Sequence, residues 1–557
     1  MGEASVTTSI PTPEKSGDTS NRSVTLVFAG LLTAMLLSSL DQMIFSTALP
    51  TIVGELHGVE YMVWVTTAYI LASTIAMPAY GKLGDLVGRK WLFVGAIAIF
   101  LVGSTIGGLA QNMPTLIVGR AVQGLGGGGL MILAMAIVAD VVPARERGRY
   151  NGIMGAVFAV SSVAGPLLGG FYTEGPGWRW AFWMNIPLGL LAIVSAVKFL
   201  HLPHQRVGKP RLDYVGMVLL AIATACLVLT TTWAGRTYEW GSPQIIGMIL
   251  GAIVAGVAFV FVESHAPEPI MPLNLFRNRS FNLATAGGLL AGISMFGAVA
   301  YLPTYLQMVT GASATKAGLL MVQMMLGLLL ASVVSGAAIS RTGQYKWYPV
   351  LGMALVAVSL VLLSTMTPDL AVWIVCAYTT VMGIGLGLTM QNLVLIVQNA
   401  FSVKIVGTAT SSNNYFRQIG ASIGSAIVGS QFATNLTNLL TDRLPAGAAS
   451  GGAGNANSFT PNLVRGLPDQ IREIIVGAYN DALTPVFLYM LPLAVVAAIV
   501  LAFIKHKPLA TSIAGEVVIE SLEIDGASRV PLGLDDDADL VTGSVAATPD
   551  DTKQPSH

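Results

Sequence analysis

Charge is what this chain has least of. Only 10% of its 557 residues are charged, against 54% hydrophobic ones, whereas soluble domains carry roughly 25% charged residues. The mean hydropathy of +0.69 agrees: most of the chain avoids water. Cys226 and Cys376 are the only two cysteines. Each sits in an apolar segment, so there is no disulfide framework and no metal site to expect. No Walker A loop, zinc-ligand cluster or serine-nucleophile elbow occurs; neither an enzyme nor a chain coupled directly to ATP is expected, and no cofactor or nucleic-acid partner is implied. Carboxylates are scarce until the end, where Glu516, Glu520, Glu523, Asp525, Asp535, Asp536, Asp537, Asp539, Asp550 and Asp551 crowd beyond Pro508. The formal net charge of zero therefore hides a basic apolar body and an acidic tail. The opening residues are hydrophilic, and the first apolar run is too long for a signal-peptide core, so it is expected to stay as a helix.

What the chain has instead is long apolar runs. A bilayer-spanning helix needs about 20 mainly apolar residues in succession. The hydropathy pattern predicts fourteen crossings, at 24–50, 61–79, 91–110, 114–139, 148–172, 180–200, 213–233, 243–262, 281–309, 315–340, 347–366, 370–397, 407–432 and 485–504. One set of loops holds Lys82, Arg89, Lys90, Arg145, Arg147, Arg149, Lys198, Arg206, Lys209, Arg211, Arg277, Arg279, Arg341, Lys346 and Lys404, while the opposite set offers Arg179, Arg236 and Lys316. The basic set faces the cytoplasm, and an even count puts both termini inside. The expected organisation is a cytoplasmic tail (1–23), a six-helix half (24–200), a linker with an inserted helix pair (201–280), and a second six-helix half (281–504). The second half contains a long extracytoplasmic loop (433–484), and an acidic cytoplasmic tail (505–557) closes the chain. Within that loop, 463–482 is predicted as a short amphipathic helix, and the Gly/Ala/Asn-rich stretch 446–457 as either an ordered cap or a mobile spacer.

Two loops share punctuation. Gly81, Asp85, Gly88, Arg89 and Lys90 close one apolar run; Gly336, Ser340, Arg341, Gly343 and Lys346 close another, with Ser340 in the place of the carboxylate. The recurrence predicts two related halves, an architecture suited to alternating access across a bilayer. Other motifs follow in order: Leu40-Asp41 in the first helix, Arg120 with Gln123-Gly124 in the fourth, and Gly152 with Ser161 and Gly165-Pro166-Leu-Leu-Gly169-Gly170 in the fifth. Trp178-Arg179-Trp180 then leads to Asn185-Ile-Pro187, and Tyr301 to Gln307 and Tyr415-Phe-Arg417-Gln418 lie in the second half. Together, over about residues 24–507, they resemble the major facilitator superfamily, and in particular its fourteen-helix drug:proton antiporters of the multidrug efflux type.

That resemblance implies an all-α membrane protein of the major facilitator fold, a machine driven by the proton gradient with no cofactor, and a bacterial cytoplasmic membrane. It assigns proton transfer to Arg120 and the antiporter motif to Gly152, Ser161, Gly165, Pro166, Gly169 and Gly170; Ser161 departs from the glycine usual there. The residues support a parallel reading. Asp41 lies among Leu40, Met43, Ile44 and Phe45, where desolvation favours its protonated form; it either couples protons or is a structural carboxylate with a fixed donor. Gly81, Asp85, Gly88, Arg89 and Lys90 form either a charge latch between access states or a solvated turn. Pro166 bends its helix. Asn413 and Arg417 fall on one helical face, as a gate or a plain interhelical bond. Candidate cavity residues are Trp64, Tyr69, Gln123, Tyr301, Tyr305, Gln307, Gln391, Asn392, Asn414 and Arg417, although aromatics also anchor helices at membrane interfaces.

The expected function is proton-coupled export of lipophilic, often cationic, toxic compounds by a monomer, with protons and membrane lipids as its other partners. The alternatives are an exporter of an endogenous metabolite or lipid on the same fold, and a non-transporting receptor or scaffold. The helix count is open to a direct check: cysteines introduced at Ser450 and Val545 should react with an impermeant maleimide from opposite faces of the membrane. Labelling from the same face would overturn it.

Overall fold

The computed structural model describes residues 19–58, 61–200, 212–235, 237–443, 464 and 467–511. The 1–18 portion of the expected N-terminal tail, the 201–211 linker, the 446–457 stretch and the tail beyond 511 lie outside them. The described residues are all helical in architecture. The first half comprises α1 (Thr19–Glu55), α2 (Met62–Val87), α3 (Arg89–Gly108), α4 (Met113–Val141), α5 (Ala144–Glu174), α6 (Trp180–Trp183) and α7 (Asn185–Phe199). The inserted pair is α8 (Tyr214–Trp233) and α9 (Pro243–Glu263). The second half comprises α10 (Arg279–Val299), α11 (Leu302–Val309), α12 (Ala314–Leu320), α13 (Val322–Thr342), α14 (Trp347–Ser364), α15 (Val372–Ala400), α16 (Val406–Arg443) and α17 (Asp469–Ala502). Three crossings are broken columns, α6/α7, α10/α11 and α12/α13. Pro303, just past the second break, has no N–H to continue the α10 ladder.

Thirteen of the described columns are long and apolar enough to cross a membrane. The fourteenth, α16, is long enough at 38 residues but carries Thr408, Thr410, Ser411, Ser412, Asn413 and Asn414, all buried. A helix this polar survives in an apolar setting only where neighbouring helices surround it, and α16 packs against α10, α2 and α17.

The internal repeat is written into the backbone. Gly88 and Gly343 both take positive φ, 97° and 75°, and each ends the helix that carries its copy of the loop motif. Only glycine enters this region without strain. Elsewhere glycine serves close approach. A Cβ on Gly424 of α16 would stand 2.1 Å from the Ile293 carbonyl oxygen of α10, and one on Gly336 of α13 would stand 2.2 Å from the Gly148 carbonyl oxygen of α5. Helices in lipid gain no hydrophobic drive from association, so this contact between backbones holds them together.

One expectation needs correction. The stretch 433–484 is not chiefly a loop: α16 runs on to Arg443 and α17 begins at Asp469, so the last crossing does not start at Pro485, and the amphipathic segment is its continuation. The two extensions pack through Leu436, Leu440, Ile475, Ala478 and Tyr479, all buried. Tyr479 meets Phe432 at 4.8 Å between ring centroids, and Arg443 pairs with Asp481 at 2.8 Å. Hydropathy alone stops at the membrane because the outward faces of these turns are polar.

The inserted pair lies across a seam between the halves. On one side Trp233 of α8 meets Trp64 of α2 edge-on at 5.5 Å, and Glu268 beyond α9 pairs with Lys82 at 2.7 Å. On the other, the Thr224 and Tyr415 hydroxyls are 2.8 Å apart, within an apolar cluster of Leu220, Phe259, Met271, Tyr415 and Ile419.

The close approach of α10 and α16 gives a test of packing. Gly424→Ala should lower the thermal stability of the detergent-solubilised protein by about 1–3 kcal/mol, the usual cost of overpacking. Gly247→Ala on α9, where an added Cβ meets nothing within 4 Å, should leave the melting temperature unchanged. Equal melting of the two variants would remove the packing account.

Candidate functional site

Three acidic or basic side chains lie well inside the membrane columns among the described residues: Asp41 on α1, Arg120 on α4 and Arg417 on α16. Asp41 is not isolated, as its apolar sequence neighbours imply. It is fully buried and accepts three bonds: one from Arg120 Nη1 to Oδ2, one from Gln123 Nε2 at 3.0 Å and one from Asn185 Nδ2 at 2.9 Å. Ser104 Oγ ties the last two together, at 2.7 Å from Gln123 and 3.0 Å from Asn185. The Arg120 guanidinium also donates to the Gln123 side chain at 3.0 Å. It lies between the rings of Phe45 and Tyr69, 4.4 Å from each centroid, which holds a cation without adding a second carboxylate.

The helix positions make this possible. Arg120 and Gln123 are three apart on α4 and so share a face, while Asn185 enters at the first residue of α7. Asn185 belongs to a motif that by itself assigns it no role; its contact with Asp41 spans 144 residues of sequence, and no local pattern signals it.

The antiporter motif sits next to this network. A Cβ on Gly165 or Gly169 would stand 2.3 Å from Met43 Cβ or 2.1 Å from Thr47 Oγ1, so α5 presses on the turns of α1 that follow Asp41. Gly152 and Gly148, earlier in α5, face α13 of the other half instead, and Pro166 lies within α5 close to its α1-facing stretch. The hydroxyl of Ser161 donates to the Val157 carbonyl at 2.8 Å, so it satisfies itself within its own helix. Gly170 meets nothing within 4 Å.

At the end of the bundle that carries the basic loops, the halves are joined by charge against helix ends. Asp85 Oδ2 accepts from the Thr408 N–H and hydroxyl, both at 2.7 Å, and Oδ1 accepts from Gly407 N–H at 3.2 Å. A carboxylate of the first half thus caps the N-terminus of α16, the positive end of its dipole. Arg89 holds that carboxylate at 2.6 Å, bonds Asp140, and reaches across to the Val403 carbonyl at 3.0 Å. Lys90 caps the end of α7 by donating to the Val197 carbonyl at 2.9 Å. The second copy works in the opposite sense. Arg145 donates to the Ser340 and Arg341 carbonyls at 3.2 and 2.9 Å, placing a cation at the negative end of α13. Between the two, Asn151 donates to Gln398 at 3.1 Å and Gln398 to the Met135 carbonyl at 3.1 Å. By sequence Arg145 is one basic loop residue among several; with Ser340 lacking a carboxylate, the repeat pattern gives no reason to look for its partner.

At the other end, Glu55 receives bonds from Trp178 at 2.7 Å and Arg179 at 2.5 Å. These donors, Arg179 foremost, hold its carboxyl below the usual range.

The remaining candidates mostly join helices. Tyr69 bonds Ser38 at 2.9 Å and Tyr305 donates to Asn480 at 2.8 Å. Tyr301 packs on Phe432 at 5.7 Å. Gln307 donates to its own helix at 3.3 Å. Asn392 donates to the Leu388 carbonyl at 2.6 Å and to Ser335 at 3.3 Å. Gln391, beside Gly155, has an Oε1 with no partner among the described residues. Arg417 does not bond Asn413, whose amide goes to Thr285 at 3.2 Å; its partner is Asn414, at 2.6 Å.

With two pseudo-repeated halves, an embedded Asp–Arg network and a shared loop motif described, the family follows. Residues 31–425 match the model of the Major Facilitator Superfamily. The chain belongs to this superfamily. It is 42% identical over 487 residues to an uncharacterized MFS-type transporter of Mycobacterium tuberculosis, covering 87% of this chain and 70% of that one. It is 35% identical over 484 residues to the multidrug transporter protein MdtP of Bacillus subtilis, covering 85% and 88%. Among solved structures the human organic anion transporter MFSD10 (TETRAN) superposes with a TM-score of 0.56 at 14% identity, covering 87% of this chain and all of that one; this likeness concerns the fold. The chain is thus a multi-pass membrane transporter of the superfamily.

The interface at the basic end yields a comparison. Asp85→Asn and Arg145→Gln should each weaken the closed arrangement by about 1–3 kcal/mol, a usual size for such a coupling, and raise maleimide labelling of a cysteine placed at Asn151. Ser340→Ala should change nothing, because Arg145 uses the Ser340 carbonyl and its hydroxyl bonds only Gly336 of its own helix, at 3.1 Å. Unaltered labelling in both charge variants would reduce the loops to turns.

Proposed function

We propose that this transporter is a proton-driven exporter of lipophilic compounds from the cytoplasm or the inner leaflet, resident in a bacterial cytoplasmic membrane with its basic end and both termini inside. The observation that carries the proposal is the Asp41–Arg120 pair. This carboxylate is sealed from water and meets one guanidinium and two amide donors. A proton reaching Asp41 cancels its charge, weakens the hold of Arg120 and frees the contact between α1 and α4. Because Gly165 and Gly169 of α5 press on the same stretch of α1, that local change is transmitted to the helix whose other end meets α13 of the second half. Proton uptake and the opening of the basic end are then two ends of one lever.

The interface bonds described above, from Asp85 to Thr408, Arg145 to Ser340 and Asn151 to Gln398, all lie toward the basic end. This supports an arrangement closed to the cytoplasm, the state in which cargo leaves outward and Asp41 awaits a proton from outside. Names of relatives in Bacillus subtilis, a multidrug transporter protein and a multidrug resistance protein at 35% identity, support drugs and other toxic compounds as cargo. An endogenous lipid or metabolite is the second reading, favoured by the midplane charge considered next. The embedded Asp–Arg pair and the interface built to break support transport over a scaffold role.

In proteoliposomes a pH difference of one unit is worth about 1.4 kcal/mol per proton, enough for a tenfold gradient of cargo at one proton per molecule. Wild type should build such a gradient of the uncharged lipophilic dye Nile red, and Asp41→Asn should reduce it to none. Since Asp41→Asn leaves Arg120 buried without its counter-charge, the double variant Asp41→Asn/Arg120→Gln should be measured beside it; it too should fail to concentrate the dye while remaining monodisperse. Gradient-driven accumulation at the wild-type level in either variant would move the coupling site elsewhere.

A further inference from the structure

Four arginines are embedded in this structure, and three of them are fully answered. Arg89 holds Asp85 and Asp140 and donates to two carbonyls. Arg120 holds Asp41. Arg147 donates to the Val142 and Ala139 carbonyls at 3.0 and 2.7 Å. Arg417 differs. Its one hydrogen-bond partner among the described residues is the neutral Asn414 side chain, at 2.6 Å. It is half-buried where the other three are buried, and none of its nitrogens is among the sealed polar atoms that lack a partner. Its unused N–H groups therefore border open space rather than packed protein.

The position is deep. Arg417 is the twelfth residue of α16, which at about 1.5 Å per residue puts it about 16 Å along the helix, near the middle of a hydrocarbon layer about 30 Å thick. Asn414, which orients the guanidinium, is itself pinned by a bond to the Thr410 carbonyl at 2.9 Å and reaches Met135 Sδ of α4 at 3.9 Å. Arg417 thus faces the region where the two halves meet. The charge sum there is uneven: Asp41 and Arg120 cancel each other, and Arg417 adds a positive charge with no carboxylate paired to it among the described residues.

We propose that Arg417 is the subsite for an acidic group on the transported molecule, and that the cargo includes amphiphiles carrying a carboxylate or phosphate. This rests on the reading of the chain as an exporter and narrows its cargo, away from the purely cationic compounds the sequence leads one to expect. A guanidinium at the low-dielectric midplane favours a planar or tetrahedral oxyanion, which it can grip with paired N–H donors, and repels a cation entering the same space. An apolar tail needs no such partner, since the surrounding helices supply apolar surface. The acid can arrive as a free amphiphile or as the headgroup of a membrane lipid; the chemistry at Arg417 is the same.

The test is a binding measurement on the full-length protein in phosphatidylcholine nanodiscs, with no pH gradient, using dansyl-aminoundecanoic acid and its uncharged methyl ester. Wild type should bind the acid about tenfold more tightly than the ester, a difference of about 1.4 kcal/mol. Arg417→Gln, which keeps a donor for Asn414, should lose that preference with the ester affinity unchanged, and Arg417→Lys should retain part of it. Displacement of the acid when phosphatidylglycerol is added to the nanodiscs supports the proposal with a lipid headgroup as occupant; acid preference without displacement supports it with a free amphiphile. Equal binding of acid and ester by wild type overturns it, as does a preference that survives Arg417→Gln, or loss of ester binding in that variant. Because no gradient is applied, failure of proton-driven export with the acid preference intact would remove the antiport reading alone.

Discussion

Moving a full charge from water into the middle of a bilayer costs several kcal/mol, and the cost falls only when a partner or a water-filled space receives it. Much of this molecule is arranged around that constraint. Asp41 and Arg120 are brought together from helices 79 residues apart, and the guanidinium is flanked by two aromatic rings so that its faces as well as its edges are occupied. Glycines at the α1–α5 contact let backbones come close enough for short side chains to seal the pair. Remove the constraint and there is no reason for α1, α4 and α7 to converge at one point.

The same constraint is met differently at the basic end, where charges are set against the partial charges of helix termini. Asp85 meets the first N–H groups of α16, and Arg145 meets the last carbonyls of α13. Charges at the first and last turns of helices are worth about 0.3–1 kcal/mol each when exposed and up to about 2 when partly buried. Such contacts are strong enough in combination to hold two halves together and weak enough singly to be broken when the halves rock. The repeat has diverged so that one half gives the anion in one place and the cation in the other; both charges come from the first half and both helix ends from the second.

Much of this was legible in the sequence. The helical columns follow from hydropathy because apolar runs must be long to cross a bilayer, and the paired loops follow from Gly88 and Gly343, which both end their helices at positive φ. The prominence of Asp41, Arg120 and Asp85 follows from the rarity of charge in their surroundings. What the sequence could not place were partners distant along the chain, Asn185 on Asp41 and Arg145 on the end of α13, and, within one helical face, the choice of Asn414 rather than Asn413 for Arg417. The 433–484 stretch misled for a different reason. Its turns are amphipathic, so their burial depends on two helices leaning together, and a hydropathy window sees only the average.

The inserted pair adds an asymmetry that the two-fold repeat lacks. It is tied to the second half through the Tyr415 hydroxyl and the Leu220–Phe259–Ile419 cluster, and to the first through a ring edge at Trp64 and a part-buried ion pair at Lys82. The pair therefore bridges the halves along the α2–α16 seam. Among the described residues no equivalent helix pair stands over the α5–α13 seam. The two seams thus present unequal faces to the lipid, one screened by α8 and α9 and the other bare of such a screen.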